Sequence, residues 1–67
     1  MTNLKAIFEK HGHGDLQEEI KDLEEGYDVV LHVVDRDTYN LMNALNETNE
    51  FTAYEDSVND TIIIAHN

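Results

Sequence analysis

The sequence contains no cysteine, so neither a disulfide nor a thiolate zinc site can staple the fold. Bases are scarce: Lys and Arg number 4 against 15 Asp and Glu, a net charge of −11 at pH 7. Direct nucleic-acid binding is thereby nearly excluded, because neutralising phosphates supplies most of that affinity. An anionic membrane surface is excluded by the same sign. Apolar runs are short. Val29–Val34, interrupted by His32, and Ile62–Ala65 fall far below the roughly 20 residues that a bilayer requires. No apolar stretch follows Met1, so no secretory signal is visible, and the N-x-T triplets at Asn46 and Asn59 carry no glycosylation meaning. The chain reads as cytoplasmic. It also lacks a glycine-rich loop and any nucleophile motif, and a chain this short offers little room for a pocket. Neither an enzyme nor a cofactor is expected.

What is present is enough for one folded domain over residues 1–67. Leu, Ile, Val and Phe make 18 of the 67 residues, above the roughly 20% below which a highly charged chain stays disordered. A chain of this length is marginal alone, and self-repulsion among the excess negative charges costs it more. A homodimer would offset both handicaps.

Leu4, Ile7 and Phe8 share one helical face, with Thr2 or Asn3 available as cap and Gly12 as stop. His11-Gly12-His13-Gly14 follows as a flexible joint. Asp15-Leu16-Gln17-Glu18 has the capping-box pattern and opens a second helix that runs to about Glu25. Its apolar positions are Leu16, Ile20, Leu23 and Tyr27, and Gly26 suits the position after its end. Tyr27–Asp35 is β-branched and almost continuously apolar, which predicts a strand covered on both faces. Asp35 or Asp37 caps a third helix over about Thr38–Glu47, with Tyr39, Leu41, Met42 and Leu45 directed inward. Glu50–Glu55 alternates as an edge strand, Asp56–Asp60 is a turn, and Thr61–His66 is a second apolar strand. The order is α-α-β-α-β-β, an α+β fold. A right-handed crossover between the first two strands leaves the gap between them for the last. The expected sheet order is 1-3-2, with the last strand antiparallel to both neighbours and the sheet packed against helices.

The second helix carries the most pointed signal. At about 100° per residue, Asp15, Glu18, Glu19, Asp22 and Glu25 fall within a stripe about 120° wide. Such a row sets like charges at i, i+3 and i+4, which destabilises the helix, and a protein seeking only solubility could interleave lysines and avoid that repulsion. Carboxylates one turn apart, about 5.4 Å, can imitate a short run of backbone phosphates. Glu55, Asp56 and Asp60 form a second candidate patch at the hairpin turn, where Asp56 and Asp60 serve first as turn formers. Asp35 and Asp37 are helix caps before they are recognition groups. Residues 37–67 hold six acids and neither Lys nor Arg. Tyr27 and Tyr39 are expected in the core, leaving Tyr54 as the exposed aromatic anchor.

Two segments carry partial metal-ligand patterns. His11, His13 and Asp15 could supply imidazole and carboxylate ligands, but two glycines leave them unorganised, and His32 reads as a partly buried histidine satisfied within its strand. Asp35-x-Asp37 opens like a calcium loop, yet Tyr39, Asn40 and Asn46 stand where the third acid, the glycine and the bidentate Glu belong. No metal is expected.

In size, lack of cysteine and acidity the whole chain resembles the small phage-encoded DNA-mimic inhibitors. That group includes inhibitors of histone-like nucleoid proteins, anti-CRISPR proteins, and blockers of restriction enzymes or uracil-DNA glycosylase. The resemblance is one of composition and implies a basic nucleic-acid-binding partner in a bacterial host. Asp15, Glu18, Glu19, Asp22, Glu25, Glu55, Asp56 and Asp60 are the expected contact residues. A protein-interaction module or antitoxin-like neutraliser, binding through the apolar edge strand and Tyr54, is the alternative.

Overall fold

The computed structural model describes residues 2–67. Helix α1 spans Leu4–Lys10, α2 Gln17–Glu24, β1 Val29–Leu31, α3 Arg36–Glu47, β2 Phe51–Asp56 and β3 Thr61–His66. The sheet is antiparallel throughout, in the order β1-β3-β2. Val29–Leu31 pairs with Ile64–Ile62, and Phe51–Asp56 pairs with His66–Thr61. This is the α+β arrangement and strand order that the sequence predicts.

Local chemistry sets the helix ends. Asn3 caps α1 by accepting from the Ala6 N–H at 3.1 Å. Its other end closes with the Gly12 N–H on Glu9 O at 3.1 Å and the His13 N–H on Phe8 O at 2.8 Å, with Gly12 at φ +78°. These paired bonds around a left-handed residue make a Schellman turn. Helix α2 ends the same way, with Gly26 at φ +99° between the Gly26 N–H to Leu23 O and Tyr27 N–H to Asp22 O bonds. The joint expected to be flexible is therefore an organised turn.

Helices cover one face of the sheet. Helix α3 lies across β2 and β3, α2 packs on β1, and α1 bridges α2 and α3. Leu4, Phe8, Ile20, Leu23, Leu41 and Leu45 from the helices meet Val29, Leu31, Phe51, Ala53, Ile62 and Ile64 from the sheet in one cluster. Each large side chain so buried contributes about 1.5–3 kcal/mol. On the opposite face the register aligns Val30, Ile63 and Tyr54 in a row across all three strands. No helix among the described residues is long and apolar enough to cross a membrane.

Four expectations need correction. The first strand is three residues long and, at the margin where the expected order puts it, has one face open rather than both covered. Its ladder stops at Leu31 because its partner Ile62 is only one residue from the start of β3, so Val33 and His32 are exposed and Val34 alone turns back to the core. Asp15 does not cap α2. Leu16 occupies that position without a side-chain bond, half-buried against the core, and the Gln17 N–H is taken by the Asp15 carbonyl. Tyr27 follows the left-handed Gly26 and is thrown outward, 64% exposed. Tyr39 is 40% exposed, because the inward stripe of α3 is Thr38, Leu41 and Leu45, with Met42 half-buried beside it.

Candidate anionic interface

The acids point outward. Of the eight expected contact acids, Asp15, Glu18, Asp22, Glu25, Glu55 and Asp60 are exposed, while Glu19 and Asp56 are half-buried. Among the described residues the one ion pair within 4.0 Å joins His13 to Asp35, and no Lys or Arg lies that close to a carboxylate. The negative charge is thus displayed without local neutralisation.

Topology gathers part of that charge at one pole. Strand β1 ends there, opposite the start of β3, so the β2–β3 turn and the N-terminus of α3 meet at the same end. Asp35, Asp37, Glu55, Asp56 and Asp60 all lie in these segments, and Asp15 follows two residues after His13, which touches Asp35. Glu18, Glu19, Asp22 and Glu25 then lead away along α2 on the β1 side. The hairpin patch is tied to α3 instead, through the Tyr39 hydroxyl donating to Glu55 Oε1 at 2.6 Å. The two expected patches therefore occupy different margins, and the cap Asp35 and the first-turn Asp37 stand at the pole near the hairpin.

Several of these carboxylates are also structural. Asp35 Oδ1 accepts from the Thr38 N–H at 2.8 Å, while Thr38 Oγ1 accepts from the Asp35 N–H at 2.7 Å and donates to its carbonyl at 2.9 Å. The Thr38 N–H, with its side chain and His13 acting in the same direction, holds the Asp35 carboxyl below its ordinary value. Asp56 Oδ1 accepts from the Val58 and Asn59 N–H groups and Oδ2 from Asn59 Nδ2 at 2.8 Å, which closes the hairpin turn. The Asn59 amide is the main cause of its lowered pKa. The Glu55 contact keeps the Tyr39 hydroxyl protonated to higher pH than an ordinary tyrosine. Of the expected caps Asp35 takes the role and Asp37 lies in the first turn of α3, while Asp56 is the expected turn former.

The edge strand is less open than its sequence suggests. Asn46 of α3 donates from Nδ2 to the Ala53 carbonyl at 2.9 Å and accepts the Ala53 N–H at 2.8 Å. A side-chain amide thus occupies the backbone groups that an added strand would need. Tyr54 is exposed as expected, at 49%, but it looks out from the open sheet face beside Val30.

Sequence reasoning missed one grouping. His13, Asp35 and Asp37 each place a possible ligand atom within 4.8 Å of the others. No spacing rule reveals it, because the three residues meet only after β1 and α3 fold back onto the α1–α2 turn. In comparisons with known proteins, no family model, curated protein or solved structure matches the chain.

Proposed function

We propose that the protein is a nucleic-acid mimic, an inhibitor that occupies the DNA- or RNA-binding surface of a basic protein in the cytoplasm of a bacterial host. The supporting observation is the −11 charge carried by outward carboxylates with no Lys or Arg within 4.0 Å of them. A protein needing only solubility would interleave bases and recover attraction. Helix α2 supplies one row of phosphate surrogates in Glu18, Glu19, Asp22 and Glu25. The pole around Asp15, Glu55, Asp56 and Asp60 supplies the second. Steering by this field makes association fast and salt-sensitive. A histone-like nucleoid protein or a CRISPR effector has the required chemistry, and no catalytic step is needed.

The test is capture from bacterial lysate on immobilised protein, with elution by a salt gradient. A basic nucleic-acid-binding protein that elutes with salt and is displaced by duplex DNA is expected. The triple substitution Glu18→Lys, Glu19→Lys, Asp22→Lys should lower target affinity at least tenfold, with the fold retained by circular dichroism although lysines in the first turn of α2 oppose the helix dipole. Equal binding by that variant would remove α2 from the interface.

A second reading rests on the open sheet face, where exposed Val30 and Tyr54 flank half-buried Ile63. An apolar partner there, or a second copy forming a homodimer, would hold at high ionic strength where a phosphate mimic fades.

A further inference from the structure

We infer that His13, Asp35 and Asp37 form a site for one divalent first-row transition cation of the zinc class. The strongest sign is at His13. Its side chain is only 13% exposed, and its Nε2 is sealed from solvent with no hydrogen-bond partner. A buried polar atom left in that state is costly. The carboxylate beside it, Asp35 Oδ1, lies 3.6 Å away, too far for a hydrogen bond. That separation matches the edge of a tetrahedral site, where two donors about 2.0–2.2 Å from a common ion stand about 3.3–3.6 Å apart.

The surrounding backbone holds the three ligands together. The His13 N–H is anchored on Phe8 O at the end of α1, and the Asp35 Oδ1 that faces His13 is fixed by accepting the Thr38 N–H as the cap of α3. Asp37 lies over Gly12, whose Cβ would stand in ordinary contact 3.4 Å from its Oδ2, while the φ of +78° is what favours glycine there. A Cβ at Gly14 would stand 2.5 Å from Glu9 Cγ, so this turn packs closely on α1. The donor set is one imidazole and two carboxylates. Imidazole selects against magnesium and calcium, and the two negative charges balance a divalent ion. With three protein ligands, water completes the coordination. The bound ion would clamp the α1–α2 turn onto the start of α3, replacing the staple that a cysteine-free chain lacks. This site is independent of the phosphate-mimic reading.

Calorimetric titration of the untagged, chelator-treated chain with zinc chloride, and separately with cobalt(II) chloride, tests it at pH 7.5. One equivalent should bind, and magnesium should not compete. His13→Gln and Asp37→Asn should each weaken binding by at least about 10–100-fold, the loss seen even for residues that only support a ligand. His11→Gln should leave affinity unchanged. Should His13→Gln fail to fold by circular dichroism, exposed Asp37→Asn decides alone. Absence of saturable uptake at millimolar zinc overturns the site. So does multi-equivalent binding that ignores His13 and Asp37, the signature of a diffuse acidic surface.

Discussion

Asp35 shows how one side chain serves several ends at the N-terminus of α3. It satisfies an orphan helix N–H, receives the reciprocal contact from Thr38 and stands next to His13. Because its folded pKa lies below the ordinary 3.8, its contribution to stability is complete above that value. The contribution is lost as pH falls through the folded pKa, where the unfolded chain binds protons more readily. Urea unfolding followed from pH 6 to pH 2 should therefore lose less stability in Asp35→Asn than in the wild type. Asparagine keeps the cap without the titrating group, whereas Asp35→Ala should lower the midpoint at every pH. The partner residue gives a sharper test. Thr38 is fully buried, and both its hydroxyl contacts go to Asp35. Thr38→Val keeps shape and burial but removes them, and should cost about 1–3 kcal/mol in denaturant unfolding.

At the scale of elements, the apolar spacing made three helices legible, and the handedness of a crossover gave the strand order. Each departure has its own physical cause. Val29–Val34 looks like a long buried strand, but a strand extends only as far as its partner, and β3 begins at Thr61. Asp15 fits a cap pattern that Leu16 displaces by docking on the core. Tyr27 keeps helical spacing with Leu23, yet Gly26 breaks the helix between them at φ +99°. For the site, composition revealed the acids and their lack of bases. Their grouping at one pole was not legible, because it depends on where β1, the hairpin turn and the α1–α2 turn converge. The same holds for His13, whose carboxylate neighbours lie more than twenty positions along the chain.

For the molecule as a whole, unneutralised charge has a measurable consequence. With a net −11 and no Lys or Arg within 4.0 Å of a carboxylate, the dominant long-range effect in the folded state is repulsion. Added sodium chloride should therefore raise the urea midpoint progressively up to about 0.5 M, as the screening length falls below 10 Å. A protein held by surface ion pairs would show the reverse. The same salt range weakens target binding under the phosphate-mimic reading. Stability and affinity should thus move in opposite directions along one titration, which separates loss of contact from loss of fold.

The central strand of the sheet is the last one made. Both β1 and β2 pair only with β3, and Val29 finds its partner at Ile64. On the ribosome, a nascent chain that has exposed α1, α2, β1, α3 and β2 still has no sheet, since its two finished strands flank an empty place. The sheet can complete only after residue 66 leaves the exit tunnel, so β1 and β2 wait for β3 rather than pairing as they emerge. Until then Val29, Leu31, Phe51 and Ala53 stay uncovered on unpaired segments, and the repulsion that burdens the native state keeps such chains apart.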